Sequence, residues 1–169
     1  MFDSLMAAGV PFRFAPDGLS VSMDHDGTPP EGGPLDCRDI PDMVPILSVL
    51  ASRASGKSAL GHVAHVRLKE SDRVESMLQL RKMGAKVEFD GNDMTFEGVQ
   101  RLHGATLSSF NDHRVLMSLT VAGSIATGVT ELSYPHAYRI SYPEFLDHMN
   151  ALGIPAAVSG GVPALGQPG

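Results

Sequence analysis

SMLQLRKMGAKVEFDGNDMTF, residues 76–96, is the stretch that decides the fold. Its first half carries apolar residues at helical spacing and stops at Gly84, and its second half alternates in polarity around a GND turn. That is helix, glycine, strand, tight turn, strand. FDSLMAAGVPFRFAPDGLSV (2–21) has the same layout with a DG turn, and FLDHMNALGIPAAV (145–158) begins a third copy. Gly9, Gly84 and Gly153 fall at helix C′ positions, about 70 residues apart, where a left-handed residue is needed.

Two further blocks match each other between these copies. RDIPDMVPILSVLASRASG (38–56) and FNDHRVLMSLTVAGSIATG (110–128) each place an acid before a long apolar helix that ends at a glycine, Gly56 or Gly128. The repeated unit mixes helix and strand, so the expected fold class is α/β or α+β, not a helical array. As read, the chain opens inside a unit, with a helix that no strand precedes. HDGTPPEGGPLD (25–36) reads as a Gly/Pro loop, and the predicted division is a domain over residues 1–156 followed by a flexible Gly/Pro tail, 157–169.

The chain of 169 residues is 43% hydrophobic, enough for one ordinary domain or two small ones. A net charge of -6 argues against a nucleic-acid partner and confines any anion site to a local basic cluster. Cys37 stands alone, which excludes an internal disulfide and suits a reducing cytoplasm. It reads as a small buried side chain. No apolar run approaches the length of a membrane span, and no signal peptide is recognisable, so a soluble cytoplasmic protein is expected. The seven histidines make no metal-ligand spacing. SGKS (55–58) lacks the first glycine of a phosphate loop, Ala51 standing in its place, and reads as a helix-ending turn.

RLKESDR (67–73) poses an electrostatic problem. Asp72, followed three residues later by Glu75, predicts a helix start, yet Lys69 and Arg73 place two cations at or just before the positive end of that helix. An anion held between the two side chains and the free backbone N–H groups would remove the conflict. NDHR (111–114) sets Asn111 or Asp112 as a cap before another helix, with Arg114 in its first turn, and PDMVP (41–45) offers Asp42 as a cap with Pro45 in the first turn. Three helix starts thus carry the cations Lys69, Arg73 and Arg114 and the carboxylates Asp42 and Glu70.

IPDMVPILSVLA, RLKESDR leading into MGAKVE, NDHRVLMSLTVAG and SYPEF, in this order and spacing, resemble the carboxy-terminal part of the 5-enolpyruvylshikimate-3-phosphate synthase family, from about residue 1 to 153. The resemblance implies an inside-out α/β barrel domain of repeated units, helices inside and sheets outside. About two units and part of a third would lie in this chain. It implies transfer of the enolpyruvyl group of phosphoenolpyruvate to the 5-hydroxyl of shikimate 3-phosphate, with loss of phosphate, in the shikimate pathway to chorismate and the aromatic amino acids. No metal or organic cofactor is implied. Arg73, Arg114 and His113 would bind phosphoenolpyruvate. Asp42, His65 and Lys69 would meet shikimate 3-phosphate, and Asp42, Glu70 and Lys69 would be catalytic.

The substrates of this family are held between two domains, so the resemblance also implies an amino-terminal partner domain and an isolated chain without transferase activity. The family often carries asparagine at the place of His65. Many members have lysine at the place of Ile140, so that contact is lost or passes to Arg139. Two other readings compete: a related UDP-N-acetylglucosamine enolpyruvyl transferase, for which RLKESDR is not the usual pattern, and a non-catalytic anion-binding or interaction module.

Overall fold

The computed structural model describes residues 29–158, together with the backbone of two strands that precede them. These are β1 (Phe12–Ala15) and β2 (Gly18–Val21), paired antiparallel from Phe12 opposite Val21 to Ala15 opposite Gly18. The hairpin expected from the first copy of the repeat is present. The helix and Gly9 read ahead of it, and the tail from 159 on, lie outside the described residues.

β3 (Pro34–Asp36) ends the Gly/Pro stretch that the sequence left as a loop. Its short run Leu35-Asp36 is recruited by pairing with a strand further on, which no local pattern shows. Pro41–Met43 form a single tight turn, and α1 (Val44–Arg53) follows with Pro45 in its first turn. Asp42 does not cap this helix, contrary to the expectation: Met43 stands at the cap position and makes no side-chain cap bond. α1 buries Val44, Leu47, Val49 and Ala51, and its inward hydroxyls, Ser48 and Ser52, bond back to the carbonyls of Val44 and Val49. It stops at Arg53, before Gly56, which takes φ +77° in the turn to β4 (Lys57–Gly61). Of SGKS, read as a helix-ending turn, Ser55 and Gly56 make the turn while Lys57 and Ser58 already belong to β4, recruited by pairing with neighbouring strands.

A tight turn over Ala64–Leu68 leads to α2 (Arg73–Leu78), capped by Asp72, whose side chain accepts from the Glu75 amide at 3.1 Å. α2 is shorter than the apolar pattern predicts, because the chain tightens into a 3-10 helix over Gln79–Met83 and ends at left-handed Gly84, φ +89°. The hairpin of β5 (Lys86–Phe89) and β6 (Met94–Glu97) follows. Asp90 closes its turn by accepting from the amides of Asn92 and Asp93 at 2.9 and 2.8 Å. β3, β4, β6 and β5 form one sheet in that order. β3 and β4 run parallel across the α1 crossover, and the other pairs are antiparallel. Leu60, Val87, Met94 and Phe96 point to the helices while Lys86, Glu88, Thr95 and Glu97 face outward.

The second half repeats the crossover with shorter strands. β7 (Leu102–His103) and β8 (Thr106–Leu107) precede α3 (His113–Ser124), and β9 (Ala126–Thr127) and β10 (Glu131–Leu132) follow it. β7 pairs with β9 and β8 with β10, both parallel. α3 is buried on two sides. Val115, Leu119 and Ala122 join the main core with α1 and α2, whereas Leu116 packs with Ala137, Tyr138, Phe145 and Met149 around α4 (Phe145–Ala151). Cys37 is fully buried, and burial, with smaller contributions from Asp36 and Asp93, pushes its thiol up to about 11.

Gly98 ties the sheet to α1. Its amide donates to the Gly56 carbonyl at 2.9 Å, and a Cβ there would overlap the carbonyl oxygen of Ala54. Gly98→Ala is therefore expected to lower stability by about 1–3 kcal/mol, the cost of overpacking a site whose neighbour is backbone. Urea unfolding checks this, and an alanine variant as stable as the parent would contradict it.

Candidate active site

Arg73 is the centre of the polar cluster. It opens α2 with its side chain fully buried, and its guanidinium meets three carboxylates. Nε donates to Asp112 Oδ2 at 2.9 Å, Nη1 to Asp42 Oδ1 at 2.8 Å and Nη2 to Glu70 Oε2 at 2.6 Å. The conflict between a cation and the helix N-terminus is thus answered by the protein's own acids. Of the five guanidinium N–H groups, one on each Nη has no acceptor among the described residues.

Arg114 reaches the same place from the start of α3. Its Nη2 lies 3.0 Å from Asp42 Oδ2, and 37% of its side chain is exposed. Asp42 bridges the two guanidiniums from the open side. Asp112, fully buried, holds the rear: Oδ1 caps α3 by accepting from the amides of Arg114 and Val115 at 2.9 and 3.3 Å, and Oδ2 accepts also from Ser71 Oγ at 3.1 Å. Sequence reading left the cap between Asn111 and Asp112, which the structure gives to Asp112, and missed the bond of Asp112 to Arg73. Its partner lies 39 positions away, which local pattern does not reveal.

The remaining residues are placed as follows. Lys69 is exposed on extended backbone just before α2, close enough for its charge to act on Asp42. Glu70 is half exposed and bonds only to Arg73 among the described residues. His113 is buried beside Arg114, and its Nδ1 has no partner among the described residues. His65 is exposed in the turn before Lys69 and makes no hydrogen bond to the cluster among the described residues. Arg139 lies over the ring of Tyr138, 5.9 Å from its centroid, and Ile140 is two-thirds exposed. Among the described residues nothing joins either to Arg73. Phe110 and Asn111, just before the Asp112 cap, both hold positive φ, +51° and +59°, an uncommon arrangement for residues other than glycine. A cavity of about 170 Å³ against α1, lined by Leu35, Leu47, Leu50 and Ala51, shares no residue with the cluster.

The arginines set the acidities. The Arg73 hydrogen bond, then the charges of Arg114, Arg73 and Lys69, outweigh partial burial and hold Asp42 below the usual carboxylate range. For Asp112 burial is the largest influence and acts upward, yet the bond and charge of Arg73 and the two capping amides together bring it below its usual value. A carboxylate whose acidity is raised by folding contributes stability that is complete above its unfolded pKa of about 3.9 and is lost as pH falls through the folded value. Stability is accordingly expected to be flat from about pH 7 to 5 and to fall below about pH 4. Asp112→Asn should flatten that acid limb in urea unfolding at several pH values, and an unchanged limb would exclude Asp112 as its source.

Comparison with known proteins agrees with the motifs. The sequence model of the EPSP synthase (3-phosphoshikimate 1-carboxyvinyltransferase) family matches residues 14–149. The 3-phosphoshikimate 1-carboxyvinyltransferase of Methanocaldococcus jannaschii is 42% identical over 124 residues, 73% of this chain and 29% of the relative. That of Gloeobacter violaceus is 44% identical over 109 residues, 64% of this chain and 25% of the relative. The fold is that of EPSP synthase from Acinetobacter baumannii, with a TM-score of 0.74 at 24% identity over 90% of this chain and 38% of that one. The enolpyruvyl transferase NikO from Streptomyces tendae shares it at the same TM-score and 20% identity, over 90% of this chain and 34% of that one. The chain spans between a quarter and a third of the length of the curated relatives it matches. Over that span it belongs to the EPSP synthase family.

Proposed function

We propose that this chain is part of the carboxy-terminal domain of a two-domain transferase that moves the enolpyruvyl group of phosphoenolpyruvate to the 5-hydroxyl of shikimate 3-phosphate. The observation that carries the reading is the single Asp42 carboxylate shared by Arg73 and Arg114 at 2.8 and 3.0 Å. Two guanidiniums close enough to share one carboxylate are spaced to share the phosphate or carboxylate of a ligand. In this reading Arg73 and Arg114, with His113 beside them, hold phosphoenolpyruvate, and Asp42, Lys69 and His65 face shikimate 3-phosphate. The helices lie inside and the sheets outside an inside-out barrel, and an amino-terminal domain supplies the opposite wall of the cleft. The setting is the cytoplasm.

The chemistry balances with proton donors and acceptors alone. Asp42 takes the proton of the 5-hydroxyl as its oxygen bonds to C2 of phosphoenolpyruvate, while C3 gains a proton and becomes a methyl group. In the tetrahedral intermediate the C2–O bond to phosphate then breaks, and a methyl proton leaves to restore the double bond. In this reading Glu70 and Lys69 give and recover that proton, a role their exposure beside the cluster supports. Asp42 is a weak base while it shares two arginines. A ligand anion arriving on them opposes their charge and strengthens it.

Turnover needs both walls of the cleft. The chain alone is expected to bind phosphoenolpyruvate weakly in calorimetry and to release no phosphate from the two substrates. Adding the rest of the M. jannaschii relative, without its matching segment, should restore phosphate release. Arg114→Ala is the clean binding control because Arg114 is partly exposed, whereas Arg73 holds the fold. Heat of binding that Arg114→Ala leaves unchanged, or no activity with the added domain, would overturn the reading.

A further inference from the structure

The carboxylates around Arg73 divide by side. Asp42 and Glu70 are about half exposed and occupy the two Nη groups, where a ligand must enter. Asp112 is fully buried and takes Nε, on the side closed to solvent. A ligand can therefore replace or join the outer acids while the inner bond stays intact. The same Asp112 side chain caps the helix that presents Arg114, and Ser71, from the segment that carries Glu70, donates to it as well. Among the described residues its two oxygens accept four hydrogen bonds, from two stretches of chain, 71–73 and 114–115. That leaves it neither room nor exposure to act on a substrate itself.

We infer that Asp112 is a positioning residue: it clamps Arg73 from behind and fixes the helix start that bears Arg114, so that the two guanidiniums meet a phosphorylated ligand as one rigid receptor. The identity of the ligand as phosphoenolpyruvate rests on the function proposed above. The clamp itself rests only on the hydrogen bonds and burial of Asp112. It differs from a plain helix cap in one respect. A cap needs an oxygen toward the α3 amides alone, whereas the clamp needs the second oxygen on Arg73 Nε.

Two substitutions separate those tasks. Asp112→Ser keeps a capping oxygen but cannot reach Arg73, and Asp112→Asn keeps the shape but loses the charge. Each is to be titrated with phosphoenolpyruvate and, separately, inorganic phosphate, and the arginine side-chain N–H signals followed by NMR in the ¹⁵N-labelled chain. Both variants are expected to lose about 10- to 100-fold in affinity, the effect of a charge-assisted hydrogen bond. Asp112→Ser should keep its helical circular dichroism. In the parent, added anion should shift the Arg114 signals and the Arg73 Nη signals while Arg73 Nε–H stays in place. An Asp112→Ser chain that binds as tightly as the parent overturns the clamp. Should both variants unfold, the parent's NMR signals decide: Nε–H moving as far as Nη means that the bond breaks on binding and the inference fails. If the parent binds phosphate but not phosphoenolpyruvate, the proposed substrate is wrong and phosphate alone tests the clamp. If it binds neither, there is no receptor and Asp112 has nothing to position.

Discussion

Replacing Arg73 by alanine is expected to destabilise the fold by about 3–5 kcal/mol, the loss seen when one partner of a buried ion pair is removed. The reason is what stays behind. Asp112 is fully buried and would lose its only cationic partner among the described residues, while Asp42 and Glu70 would lose the guanidinium that holds them near it. The half-exposed acids can turn to water, so most of the cost falls on Asp112. For a chain of 169 residues this corresponds to a fall in melting temperature of roughly 10 °C. Arg73→Lys should fall between parent and alanine, since an ammonium keeps the charge but cannot serve three carboxylates in one plane. Urea unfolding of the three proteins at neutral pH measures this. An alanine variant within about 1 kcal/mol of the parent would show that the cluster relaxes freely and that Arg73 is not what holds these elements together.

The second large effect concerns turnover. Asp42→Asn, in the chain completed with the amino-terminal part of a relative, should reduce the rate of phosphate release by about 10²- to 10⁴-fold, the usual contribution of a general base. The side-chain oxygen of asparagine can still accept from Arg73 Nη1, so folding should change little. What it cannot do is take a proton. Asparagine also removes a negative charge that occupies both arginines, and phosphoenolpyruvate should bind as tightly as before or more so. A low rate with undiminished binding is the pattern expected of a group that acts on the reacting atoms. A variant within about threefold of the parent rate would remove Asp42 from the mechanism.

The repeat was legible because it is written in local terms. Apolar spacing, a left-handed glycine and an Asx turn act within a few residues, so the β5–β6 hairpin, Gly84 and the caps at Asp72 and Asp112 stand where the sequence puts them. The errors have the same origin. α2 tightened early, and Asp42 looked like a cap because an acid before an apolar helix usually is one. Asp42 is instead drawn to Arg73, 31 positions on, and to Arg114. β3 likewise has no strong pattern of its own and exists because β4 lies beside it.

By itself, then, the sequence determined the kind of unit, its repetition and the motifs that place the chain in its family, since each depends on neighbours along the chain. Only the tertiary structure decided what the charges do. It buried Arg73, turned three acids onto it and set Arg114 on the far oxygen of Asp42. Those pairings depend on which helix starts converge once α1, α2 and α3 pack together, and Coulomb energy in a buried site follows distance in space, whatever the separation in sequence.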